Sequence, residues 1–198
     1  MRDFLLDTQT IAYWYDDTCT QHAAVIGNVE SLKEKARPLE HKPRLLVSVV
    51  TLGEIEFGHR VQVGDFGKKQ EAYIRFVDQE LPARLELTED AVTAYGEIRS
   101  RLFNEYAPGA KRRPGMRPEQ LIDPITSLAL KIQENDLWLC AQAVSHGMVL
   151  VTNDRMHAIR EVSKGMEPRL LIQNWTHVGE VNLDDSFAGH DSSSRTSS

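Results

Sequence analysis

The chain has 198 residues, 41% hydrophobic and 26% charged, with Lys+Arg 23 against Asp+Glu 29. That length suits one α/β domain, or one carrying an insertion, and the apolar content excludes disorder along the whole chain. No apolar run approaches the roughly 20 residues of a membrane helix, no signal peptide is visible, and Cys19 and Cys140 are too few for a disulfide framework, so a reduced, cytoplasmic protein is expected.

In chain order, residues 4–6 (FLL) predict a first strand and residues 8–16 a helix. A second helix is expected over 22–37. Residues 44–50 (RLLVSVV) predict a strand, rich in β-branched side chains and apolar on both faces. Helical patterns follow at 52–63 and 67–80, with a weaker strand at 84–87. Thr88 is an N-cap candidate for a helix reaching residue 106, with Val92, Tyr95, Ile98, Leu102 and Phe103 along one face. Residues 108–118 (PGAKRRPGMRP) predict an exposed loop. Residues 136–146 place Leu137, Cys140, Ala141 and Val144 at helical spacing, and Gly147 is a natural stop. Strands at 148–152 (MVLVT) and 169–172 (RLLI) complete the pattern. The tail, residues 183–198, is polar and of low complexity, and reads as disordered. Continuous apolar strands alternating with helices predict a three-layer α/β sandwich around a parallel sheet.

The net charge of −6 argues against a broad basic coat for nucleic acid, but not against an enzyme that grips a phosphodiester through a metal. What matters is where the acids fall. Asp7 follows the first strand, Glu54 lies just after the second, and Asp154 lies two residues past the strand ending at Thr152. Asp136 opens the helix before that strand. All four belong at the carboxyl edge of one parallel sheet, where open α/β folds carry their chemistry. Each also fits an ordinary cap: Thr51 and Glu54 as a capping box, the three aspartates at helix starts. If the four converge, like charges about 4 Å apart repel by ~4 kcal/mol at an effective dielectric near 20. They then hold a cation or take up protons. Oxygen ligands point to Mg²⁺ or Mn²⁺ rather than zinc.

The segments FLLDTQTIAYWY, LVSVVTLGEIEFG and ENDLWLCAQAVSHGMVLVTND resemble the PIN-domain family, in particular the VapC-like ribonuclease toxins of toxin–antitoxin pairs. The resemblance is ordered and spans residues 4–154. It implies a parallel five-stranded sheet in the order 3-2-1-4-5, with Asp7, Glu54 and Asp136 on the three family acidic positions and Asp154 on the more variable fourth. It implies a single domain over 1–182 with an insertion around 107–133. It further implies Mg²⁺- or Mn²⁺-dependent cleavage of RNA, a small antitoxin as partner, and a homodimer. Gln9 stands where the family usually has Asn. The insertion lies where it would reshape the substrate groove or the partner surface.

Other residues have open readings. Lys111, Arg112, Arg113 and Arg117 are candidates for RNA phosphate contacts or for a solvated loop face. Thr8, Thr152 and Asn153 are candidates for bonding carboxylates or for plain turn roles. Tyr13, Trp14, Tyr15 and Trp138 fit base stacking or packing. The histidines show no metal-ligand spacing, and Cys140 reads as a buried, inert thiol. Two rivals stand beside the nuclease: a non-catalytic PIN-like domain that binds RNA or protein, and a haloacid-dehalogenase-type phosphotransferase. The second wants an Asp where Gln9 stands.

Overall fold

A computed structural model describes residues 1–61, 65–109 and 113–183. The five strands are β1 (Phe4–Leu6), β2 (Leu45–Ser48), β3 (Arg84–Leu85), β4 (Val149–Val151) and β5 (Leu171–Gln173). Every neighbouring pair is parallel, and the spatial order is β3-β2-β1-β4-β5. This is the expected order, with β1 central and flanked by β2 and β4. Helices α1 (Thr8–Tyr15), α2 (His22–Ala36), α3 (Val49–Val61), α4 (Asp65–Glu80), α5 (Glu89–Tyr106), α6 (Glu134–Ser145) and α7 (His157–Val162) make up the outer layers.

The apolar runs explain the layering. Side chains alternate across a strand, so Leu5, Leu46 and Leu150 enter one core with Ile98, Leu102, Leu137 and Ile159. Their neighbours Phe4, Leu6, Val47, Val149 and Val151 enter the other, with Ile11, Val25, Val77 and Trp175. A sheet buried on both faces needs apolar residues at every position, and that is how FLL and VLV read.

Three expectations are corrected. The predicted strand over 44–50 ends at Ser48, and its helix begins at Val49 rather than residue 52. Ser48 Oγ accepts from the Val50 N–H at 3.0 Å, turning the chain out of the sheet despite the β-branched pair that follows. Val92 is 54% exposed, so the buried face of α5 is carried by Ala91, Ile98, Leu102 and Phe103. Helix α7, only six residues long, begins at His157 with Met156 as its N-cap, so Asp154 is not the helix cap it was expected to be. The anticipated caps are present: Thr88 Oγ1 accepts from the Ala91 N–H, and Gly147 stops α6 with φ +60.

A buried amide ties the site-bearing elements together. Gln142 of α6 accepts from the Ser48 hydroxyl at 2.5 Å and donates to the carbonyls of Leu85 and Glu86. The carboxyl ends of β2 and β3 are thereby fastened to the helix that carries Asp136.

Within the insertion, Ile122 and Ala129 form an antiparallel bridge closed by Asp123, whose carboxylate accepts from the N–H groups of Ile125 and Thr126. The polar tail expected over 183–198 lies outside the described residues from position 184 onward.

Candidate metal centre

The four acids gather where the strands end. Asp7, 8% exposed, caps α1 by accepting from the Thr10 N–H at 2.7 Å. Burial pushes its carboxyl above the usual carboxylate range; hydrogen bonds from Thr10 and Thr152 oppose that rise, and the charge of Glu54 adds to it. Asp136 sits in the first turn of α6, where one oxygen accepts from the Gln133 N–H at 2.8 Å. Its pKa is pushed up to about 6, first by burial and then by the charges of Asp154, Glu54 and Asp7, against the pull of the Gln133 N–H. Asp154, in the exposed loop after β4, accepts from the Met156 N–H at 3.2 Å.

Glu54 does not form the expected capping box. Because α3 begins at Val49, Glu54 falls beyond its first turn, and the buried Thr51 hydroxyl has no partner among the described residues. Instead Glu54 reaches across two helices. Its Oε2 accepts from the Thr8 hydroxyl of α1, and its Oε1 accepts from Asn135 Nδ2 of α6 at 2.6 Å. Asp7 and Asp136 each commit an oxygen to a helix start, so their capping readings hold.

Among the described residues no Lys or Arg forms an ion pair with any of the four. Nor do three acidic, His or Cys groups close into a ready-made metal cage there. The charges of Asp154, Glu54 and Asp7 all reach Asp136, and that of Glu54 reaches Asp7. That donor set fits Mg²⁺ or Mn²⁺. Mg²⁺ keeps several waters and takes only one or two carboxylates directly, so it does not need a closed cage.

The neighbouring residues divide clearly. Thr152 is buried, faces Asp7, and also accepts from the Asp154 N–H at 3.0 Å. Asn153 turns toward the residue after β5, Asn174, which donates to it at 3.1 Å. Gln9 is exposed. Trp14 packs edge-on to Phe76, Tyr15 against Tyr73, and Trp138 stacks on Tyr95 at 3.9 Å, so these aromatics pack within the fold. Half-buried Tyr13 joins the same core as Trp14. The Cys140 thiol is buried against Met156, and burial pushes its pKa up.

Lys111 and Arg112 lie outside the described residues. Arg113 is exposed and lines a cavity of about 500 Å³ with Tyr106, Met116 and Asp123, which includes none of the four acids. A separate cleft of about 340 Å³ does include Asp136 and Asp154, together with Lys131, Arg155 and His157.

Sequence reading gave no role to Asn135, although it stands in the N-D-L-W segment. It also missed Tyr73, whose buried hydroxyl has no partner among the described residues and whose pKa is raised by burial and by Asp7 and Glu54. No periodicity marks Tyr73.

Fold and site together define an α/β/α protein with an acidic centre at the carboxyl edge of its sheet. Residues 4–164 match the model of the PIN domain, and the chain belongs to that family. Its fold is similar to that of a chain of VapBC2 from Rickettsia felis, solved bound to a DNA fragment from its promoter. The identity is 17%, the match covers 87% of this chain and 98% of that one, and the TM-score is 0.56. A chain of DNA-bound VapBC from Salmonella typhimurium matches at 19% identity, 88% and 99% coverage, and TM-score 0.55. A chain of FitAcB from Neisseria gonorrhoeae matches at 18%, 88% and 99%, and 0.54. Comparison with curated proteins gives no match.

Proposed function

We propose that this PIN domain is a Mg²⁺- or Mn²⁺-dependent ribonuclease and the toxin of a toxin–antitoxin pair. The observation behind this reading is the set of mutually repelling carboxylates at one sheet edge, with no basic side chain paired to them among the described residues. A protein that used these acids only as caps would have no need to bring them together, since each cap works alone.

Asp7, Glu54, Asp136 and Asp154 would hold the ion. When bound, such an ion activates water and stabilises charge on a phosphodiester. The chain's own residues set the geometry. Thr10 and Thr152 orient Asp7, the Gln133 N–H orients Asp136, and Thr8 with Asn135 clamps Glu54 between two helices. Exposed Asp154 stands at the solvent side, where substrate arrives.

The partner reading rests on similarity of fold to chains of VapBC and FitAB assemblies. A small antitoxin whose basic side chains pair with the acidic centre would compete with metal for it, and a homodimer is the expected state. Among the described residues no helix is long and apolar enough to cross a membrane, and the cytoplasm is the proposed location.

Cleavage of RNA by purified protein, with and without Mg²⁺, Mn²⁺ or chelator, tests the reading. Cleavage that needs metal and is abolished by Asp7→Asn or Asp136→Asn supports it. RNA binding without cleavage at any metal concentration would establish the non-catalytic alternative, and cleavage of DNA alone would correct the substrate.

A further inference from the structure

We propose that the cleft between the insertion and α7 is a phosphate-binding subsite for the RNA strand, built by Lys131 and Arg155; this rests on the ribonuclease reading above. The cleft has two electrostatic ends. Asp136 and Asp154 line it on the side of the acidic centre, and Lys131 and Arg155 line the same space. Both cations are exposed, and neither forms an ion pair among the described residues.

The other charged groups of the cleft have local roles. Asp123 is held by the N–H groups of Ile125 and Thr126, which with the nearby His157 keep its pKa below the usual carboxylate range. The Glu161 carboxyl is held below the usual range by the hydrogen bond from Lys164, with a smaller pull from His157. The cations left to meet an incoming anion are Lys131 and Arg155.

Unusual backbone lies at or beside both positions. Lys131 itself adopts a left-handed backbone with φ 56, and Met156, directly after Arg155, has φ 44. Non-glycine residues are uncommon there, and such strained backbone clusters at active sites and ligand clamps. Lys131 also lies two residues before Gln133, which positions Asp136, and Arg155 directly follows Asp154. Each cation is thereby indexed to one acid.

An RNA strand presents phosphates in series. A dication among the acids would take the phosphate under attack, and the Lys131–Arg155 pair would take a neighbouring one. Phosphate contacts of this kind set register rather than sequence preference. The segment 121–132, part of the insertion, would then decide which way the strand runs through the site.

Binding of a short mixed-sequence single-stranded RNA, labelled and measured in Ca²⁺ across a salt series, tests this. Lys131→Ala with Arg155→Ala should weaken binding about tenfold or more at ~0.1 M salt and lower the salt slope by about 0.7, the share of the one phosphate the pair holds. Lys42→Ala, in the loop leading into β2 at the opposite sheet edge, should change neither. Both substituted side chains are exposed, and circular dichroism with a melting curve checks that the variants fold. If the wild type binds and cuts RNA while the double variant keeps the same affinity and slope, the subsite is refuted and the nuclease stands. If the wild type neither binds nor cuts RNA, both readings fall.

Discussion

The Thr8 hydroxyl donates to the Glu54 carboxylate, joining the first turn of α1 to α3 beside the acidic centre. Asn135 of α6 holds the other oxygen of the same carboxylate at 2.6 Å. One acid, carried by α3, is thus clamped by helices from two other crossovers, α1 and α6. Thr8→Val keeps the shape and removes the donor. It should raise the metal concentration needed for half-maximal cleavage several-fold, with a smaller change in rate at saturating metal. The stability cost should be about 1 kcal/mol, the net worth of one hydrogen bond. Metal titrations of activity, paired with a melting curve, separate the two effects.

Asp136 predicts a pH dependence of stability in metal-free protein. Its pKa rises from the ordinary 3.8 to about 6 in the folded state, chiefly through burial. Between those values the folded chain holds a proton that the unfolded chain has released. Stability from this group is therefore greatest at low pH and is lost as pH climbs through about 6. The full difference is worth roughly 3 kcal/mol. Metal-free Asp136→Asn should melt higher than wild type at pH 7, and the gap should close toward pH 4. Adding Mg²⁺ should reverse the order at pH 7, because only the wild type gains from the ion. A gap that does not change with pH would contradict this.

Much of this was legible because the signals were local and redundant. FLL, RLLVSVV and MVLVT had to be buried on both faces, and the acids stood at positions that strand ends define without knowledge of side-chain contacts. Strand order came from the family resemblance. The start of α3 was hidden because β-branched Val49 and Val50 favour a strand, and the Ser48 bond to Val50 that overrides them is a tertiary detail. Helix α7 was too short to show a period. Asn135 was missed for a different reason: its partner Glu54 lies far along the chain, and no sequence pattern brings the two together.

The Ser48–Gln142 bond predicts a stability cost that propagates to the site. Both side chains are fully buried. Ser48→Ala would leave Gln142 Oε1 without its donor and Val50 N–H without its acceptor, costing about 1–3 kcal/mol for a stranded buried polar group. Gln142→Leu, which also abandons the Leu85 and Glu86 carbonyls, should cost more. Because Gln142 anchors the helix bearing Asp136, both variants should also weaken metal binding, measured as the shift in melting temperature with added Mg²⁺. A loss of stability with an unchanged Mg²⁺ response would show that α6 holds its acid in place without this tie.

The toxin reading makes a prediction in living cells that the enzyme assays do not. Expression of the wild-type chain in a bacterial host should arrest growth, and Asp7→Asn should remove the arrest at equal protein level. Asp7 is the sharpest choice because it is the most buried of the four acids and caps α1 through its backbone-facing oxygen. Asn keeps an oxygen that can accept from Thr10 N–H while losing the charge, so the fold should survive. Removing that charge also relieves the repulsion with Glu54 that helps raise the Asp7 pKa. A small partner that neutralises the wild type should bind through the acidic centre, so its affinity should fall for Asp7→Asn and fall with rising Mg²⁺. Purified wild type that cuts RNA yet leaves growth untouched would remove the toxin reading and leave a nuclease of another cellular role. Partner binding indifferent to both Mg²⁺ and Asp7 would place that contact away from the acids.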